Sequence, residues 1–239
     1  MLPPVAGPHA HLRPIGIHTT AERIAAFRAR VLFDGGRRPA FHRGDDVYDD
    51  ADPLDAFAFQ VALQADGELV GCIRVNPVSE LPPSSMATLL GPTHTSRVLR
   101  DLGAPRSTCW DGGRWAVDPA RQRSALGGEL ACAAMAVARY LGGRRLVGVG
   151  GVRQGQAARL VSLGAVYVSS CAPVAVPAMD DEVRVVVFDL DCIHPDAIER
   201  VEGTLLLLAS AWSAPQRTVP VNAPGSVRGA PLTVPRAKR

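Results

Sequence analysis

Lysine is almost missing from this chain. Lys238 is the only one among 26 basic residues, the rest being arginine. Cysteine is sparse: Cys72, Cys109, Cys132, Cys171 and Cys192 are odd in number and never form CxxC. That argues against a disulfide framework or a zinc site and fits a reducing cytoplasm. The six histidines never form HExxH, and no metal site is expected. Neither GxxxxGK[ST] nor GxGxxG occurs, so the nucleotide P-loop and the dinucleotide fingerprint are both absent. The longest apolar runs, such as 204–212, are too short to span a bilayer. The first residues show no basic stretch followed by an apolar one, so no signal peptide is read. The net charge is only +3, and Arg217, Arg228, Arg236, Lys238 and Arg239 lie in a Pro-rich end without an acid. The remainder is slightly acidic, which argues against a nucleic-acid-binding surface.

What is present suits a folded α/β domain. Apolar residues make up 47% of 239, enough for a full core. The expected organisation is a Pro-rich leader over 1–15, one domain over 16–210, and a basic Pro-rich tail over 211–239. Thr19 or Thr20 can cap a first helix with Ile24, Phe27, Val31 and Leu32 at helical spacing, ended by Asp34-Gly35-Gly36. A long polar loop over 37–55 holds an acidic run at 45–50. Strands are expected over 56–63 and 69–75, joined by Asp66-Gly67. Short helical turns follow at 84–90 and 97–102. Then come a strand over 109–117, a helix over 124–141, a strand over 145–149 and a helix over 154–163. Strands over 166–170 and 183–190 and a helix over 196–209 complete the order. An antiparallel front half joined to a βαβ-like centre implies a mixed sheet.

The stretch from Cys109 to Leu130 organises the rest. A β-prone strand is stopped at Pro119, a loop of small and basic residues follows, and Glu129 opens a run of Ala, Leu, Met and Val. A strand feeding a helix N-terminus through such a loop is an anion site, because unpaired N–H groups and the helix dipole point outward. Arg121 and Arg123 add full charges, and the natural guest is a phosphate or pyrophosphate.

Val117-Asp118-Pro119 followed by Gln122-Arg123-Ser124-Ala125-Leu126-Gly127 resembles the pyrophosphate loop of the GNAT acyltransferase superfamily. Gln122 stands for the family's leading Arg and Ala125 for its first glycine. Four further patterns, in order, resemble one GNAT branch, the acyl-homoserine-lactone synthases. They are Arg28-Ala-Arg-Val31-Leu32 followed by Phe33, then Asp46-Val47-Tyr48-Asp49, then Gly71-Cys72-Ile73-Arg74-Val75-Asn76-Pro77, and then Trp110 to Val117. Asp111 replaces the family's Glu, Gly113 its Ser and Leu32 its Phe, and the Trp after the first helix is missing, with Phe41 the nearest aromatic.

The resemblance implies a mixed, mostly antiparallel central sheet with a splayed strand pair, flanked by helices. It implies transfer of an acyl group from acyl-CoA or acyl carrier protein to the amine of S-adenosylmethionine or a similar acceptor. Asp111 would be the base, with Arg114 beside it. Arg28, Phe33, Asp46, Asp49, Arg74 and Trp110 would shape the acceptor pocket, Arg facing a carboxylate and Asp an ammonium. Trp115, Ala116, Val117, Gln122, Arg123, Ala125, Gly127 and Gly128 would hold the donor. No cofactor is bound in this scheme. The residues alone leave other readings open. Asp111 could be a structural partner of Arg114 or Arg74. The protein could acylate another small amine, or bind a thioester without turnover.

Overall fold

The computed structural model describes residues 11–12, 21–35, 38–50, 52–65, 67–78, 83–121, 125–153, 155–177 and 180–213. Its centre is strand β4 (Cys109–Val117), bounded as the sequence predicts. On one side lie β3 (Glu68–Pro77), β2 (Phe59–Ala65) and the two-residue β1 (His11–Leu12). On the other lie β5 (Arg145–Gly151), then β8 (Asp181–Asp189), which carries both β6 (Val166–Tyr167) and β7 (Val174–Val176). Every pair in the described sheet is antiparallel except β4 with β5. This is the expected mixed sheet.

The strand expected over 56–63 runs Phe59–Ala65, after a 3₁₀ turn at Pro53–Phe57, the one expected over 166–170 is only Val166–Tyr167, and two strands were not expected at all. His11 and Leu12, read as loose leader, pair with Gln64 and Leu63. Val174 to Val176, read as Pro-rich linker, pairs with β8. Both segments are too short for a periodic signal and are made into strands by an available edge.

Helices α3 (Leu126–Tyr140), α4 (Gln156–Ser162) and α5 (Pro195–Ser213) cover one face of the sheet, with Leu63, Val75, Trp110, Leu146, Val186 and Phe188 packed beneath them. Residues 127, 128, 130–138 of α3 are all buried, because this Ala-rich helix is enclosed between the sheet and α5. Helices α1 (Ala21–Asp34) and α2 (Ser85–Asp101) cover the other face, over Ala62, Cys72 and Ala116, and over Val147, Val185 and Val187 respectively. The two expected helical turns at 84–90 and 97–102 are parts of α2, which bends where Gly91 takes φ 77° ahead of Pro92. Ser84 caps its start by accepting from the Ala87 N–H at 3.3 Å.

Two irregularities of β4 make the functional geometry. The β4–β5 ladder runs from Cys109↔Arg145 to Gly112↔Gly148 and stops. Beyond it β4 stays with β3 as far as Val117, while β5 stays with β8 as far as Gly151. The two central strands therefore part. The second irregularity is a bulge. Cys72 pairs with Ala116 but Arg74 pairs with Gly113, so β4 carries one extra residue there. Arg114 sits in it at φ 55°, a left-handed conformation unusual for a side chain with a Cβ. The extra residue reverses the alternation of everything after it. Arg114 joins Gly113 on the α1/α2 face, and Trp115 turns to the α3 face.

Candidate active site

A cavity of about 350 Å³ opens where β4 and β5 part. Its wall has two chemistries. Ala131 and Ala134 of α3, Leu160 of α4, Leu146 and Phe188 make an apolar end on the α3 face. Asp52, Ser85, Thr88, Asp111 and Arg114 make a polar end on the α1/α2 face, with Arg38 and Phe41 beside them.

Asp111 is wholly buried on this wall. Its Oδ2 accepts the Met86 N–H at 3.0 Å, in the first turn of α2, and its Oδ1 has no partner among the described residues. Burial pushes its carboxyl up to about 6, against the opposing pull of the Met86 N–H, the Arg74 charge, the Ser85 N–H and the Ser84 hydroxyl. The alternative structural reading of Asp111 gave it an arginine partner. Arg74 and Arg114 instead spend their hydrogen bonds on other groups.

Those groups are Ser85 and three aspartates, Asp50 at the end of the expected acidic run and Asp52 and Asp55 just past it. Arg28 Nε donates to Asp50 Oδ2, and its Nη2 donates to Asp55 Oδ2 at 2.8 Å and to the Asp50 carbonyl at 2.7 Å. Arg74 Nη1 lies 2.9 Å from both Asp52 Oδ2 and Asp55 Oδ1. Arg114 Nη2 donates to Asp52 Oδ2 at 2.8 Å, and its Nη1 lies 3.2 Å from Asp50 Oδ1. Gln60 Nε2 adds a bond to Asp55 Oδ1 at 2.8 Å. Burial raises the Asp52 carboxyl, but the bonds from Arg114, the Leu54 N–H and Arg74 outweigh it and hold it at about 2.

The expected charged constellation therefore forms from Arg28 and Arg74, but not with Asp46 and Asp49. Asp46 is exposed in a turn at φ 58°, and Asp49 pairs at the surface with Arg43 at 3.2 Å. The signal was available. Asp52-Pro-Leu-Asp55 has the same spacing as Asp46-Val-Tyr-Asp49, and Asp52 caps a 3₁₀ turn at Pro53–Phe57 by accepting from Leu54 N–H at 2.9 Å. That turn aims both carboxylates inward.

Other expected residues divide by face. Trp110 lies one residue from Asp111 and so faces α3, in the core against Phe59, away from the cavity. Phe33 lies one step around α1 from Leu32. Leu32 reaches the cavity, while Phe33 stacks with His42 and Tyr48 at centroid distances of 4.8 and 5.7 Å. Phe41 takes a cavity position instead, with Arg114 Cζ 5.5 Å from its ring centre. On the donor side, Trp115 lines the cavity and packs against Gly127, where a Cβ would come 3.0 Å from its ring. Ala116 faces α1 with Ile24 and Phe27, so its side chain does not reach the donor side. Val117 packs toward α3. Ala125 precedes α3 and is exposed, and Gly127 and Gly128 are buried in its first turn. Gln122 and Arg123 lie outside the described residues.

Among the described residues, no group of three or more His, Cys, Asp or Glu could hold a metal ion. No described helix is long and apolar enough to cross a membrane.

No protein-family model and no curated protein sequence matches this chain. Solved structures do. The CoA-dependent acyl-homoserine lactone synthase BjaI, solved with SAM and isopentyl-CoA, is 17% identical, with 77% of this chain and 81% of that one covered and a TM-score of 0.56. TofI, in a ternary complex with an inhibitor and MTA, is 23% identical, with 80% and 96% covered and a TM-score of 0.53. The CoA-dependent synthase MesI is 21% identical, with 77% and 86% covered and a TM-score of 0.51. The fold of this chain is the fold of those proteins.

Proposed function

We propose that this protein is an N-acyltransferase that moves an acyl group from a thioester to the amine of an amino-acid-like acceptor. Asp111 carries the reading. It is a fully buried carboxylate, one oxygen of which has no partner among the described residues, with a pKa raised to about 6, on a cavity at the parting of two central strands. A base poised near neutrality on the cavity wall suits removal of a proton from an amine.

The acyl chain lies in the apolar end, among Ala131, Ala134, Leu160 and Phe188, and the donor's phosphates lie toward the start of α3. The acceptor enters from the α1/α2 face, where Arg114 and Asp52 offer charges of both signs to an α-carboxylate and an α-ammonium. The amine nitrogen bonds to the carbonyl carbon as its proton passes to Asp111, the C–S bond breaks, and the departing thiolate takes that proton back from Asp111 to leave as a thiol. BjaI, a CoA-dependent synthase, has been solved with SAM and isopentyl-CoA, which makes S-adenosylmethionine and acyl-CoA the first pair to try, with acyl carrier protein as the alternative carrier.

The test is thiol release by the purified protein from acetyl- through decanoyl-CoA with S-adenosylmethionine and with free amino acids, the products identified by mass spectrometry. An acylated amine formed with equimolar thiol supports the reading. Retention of acyl-CoA without thiol release, for every pair and also with acyl carrier protein thioesters, overturns it in favour of a binding protein.

A further inference from the structure

Ser85 was not singled out by its sequence, yet it occupies a decisive position. It is the first residue of α2 and lines the cavity beside Asp111. A Cβ on Gly113 would lie 2.9 Å from Ser85 Oγ and 3.4 Å from Ser85 Cβ. The space that a side chain at 113 would fill is thus filled by the Ser85 hydroxymethyl group, arriving from another element. Gly113 is the first residue of β4 past the end of the β4–β5 ladder, so Ser85 stands at the apex of the opening. Behind it, Arg74 pairs with Gly113 across the sheet and donates from Nη2 to Ser85 Oγ at 2.8 Å.

That bond fixes the direction of the hydroxyl. An arginine has donors and no acceptor, so the Ser85 proton cannot return the bond. A hydroxyl oxygen that accepts from a cation becomes a stronger donor through its own proton. Arg74 is in turn held by Asp52 and Asp55, which keeps it in place.

Resting on the acyl-transfer reading above, we propose that Ser85 Oγ–H is a catalytic hydrogen-bond donor to the acyl carbonyl oxygen. It would stabilise the negative charge that gathers there as the amine adds, while Arg74 positions and polarises it. The hydroxyl forms no covalent bond and its proton stays on Oγ. The site therefore has its base on β4 and its side-chain oxyanion donor on α2, and Gly113 is glycine because the hydroxyl arrives from elsewhere.

The experiment measures kcat and KM for the wild type, Ser85→Ala, and the double variant Ser85→Gly with Gly113→Ser, which returns the hydroxyl from β4. The probes are S-adenosylmethionine and the acyl-CoA that the wild type turns over fastest, and circular dichroism checks each fold. Loss of one such donor lowers kcat by about a hundredfold to a thousandfold. Ser85→Ala should show that loss with both KM values within about threefold, since a charge present only in the transition state is affected. The double variant should regain at least about tenfold. An unchanged kcat in Ser85→Ala overturns the assignment. So does a loss expressed in acceptor KM, which would make Ser85 a binding group. Equal losses in Ser85→Ala and the double variant also overturn it, because a purely structural Ser85 would give that result. A wild type inactive with every thioester and amine removes the acyl-transfer reading itself, and this assignment with it.

Discussion

Arg114 Nη2 donates to Asp52 Oδ2 at 2.8 Å, across 62 residues of chain. The contact exists because Arg114 occupies a β-bulge at φ 55°. In a regular strand, residues 113 and 114 would face opposite sides. The bulge puts both on the side of α1 and α2, and Arg114 then closes a network of three arginines and three aspartates at the polar end of the cavity.

Removing Arg28 should be among the most damaging single changes. It is fully buried, and its loss leaves Asp50 and Asp55 without their best partner. Arg28→Met should lower unfolding free energy by about 3–5 kcal/mol. Urea denaturation measures it, and adding Asp50→Leu should recover part of the loss. An effect under about 1 kcal/mol, the range of a surface pair, would contradict the network.

Asp52 titrates at about 2 in the folded protein, below its ordinary 3.8. A depressed carboxyl contributes stability above the unfolded value and loses it as pH falls through the folded one. Asp52→Asn should therefore melt below the wild type at pH 5 to 7, with the gap closing between about pH 4 and pH 2. A gap that persists at pH 2 would mean that Asp52 acts by packing and not by charge.

Asp111 has the opposite sign. Its carboxyl, raised to about 6, binds a proton more tightly in the folded protein than in the unfolded chain. Stability should fall as pH rises from about 4 to about 6 and then level. Activity should do the reverse, with kcat/KM rising with pH through about 6 as the base ionises. Asp111→Asn should abolish turnover and remove the pH 4 to 6 slope in melting temperature. A variant that melts well below the wild type at neutral pH would show a structural acid.

Ala134 lines the apolar end of the cavity from α3. Ala134→Phe should shorten the space for an acyl chain. Each methylene that no longer fits should reduce kcat/KM by about tenfold or more, while acetyl transfer stays within a few-fold. Competition between acyl-CoA lengths reads this directly. An unaltered length profile would place the chain elsewhere.

Much of this was legible in the chain. The span of β4 follows from its apolar run and Pro119, and the helix after it from unbroken Ala, Leu and Val. Asp111 could be picked out because it is the one acid of the central strand, at the position where the resembled pattern has Glu. Period-2 alternation, however, places Trp115 and Arg114 on the wrong faces, since one extra residue inverts the pattern and leaves no mark in composition.

The sequence by itself determined the order of the elements, the mixed sheet and the central carboxylate, because these depend on local periodicity and on residues that break it. Tertiary structure decided which partners meet. Asp46, Asp49, Asp52 and Asp55 repeat one spacing, and of these the pair at the turn over Pro53–Phe57 is carried under Arg28 and Arg74. Ser85 reaches the site because α2 lays its first turn over Gly113, a contact set by packing between segments far apart in the chain. The cavity exists because β4 and β5 are claimed by different neighbours beyond Gly112 and Gly148. That competition for hydrogen bonds arises only once the whole sheet has formed.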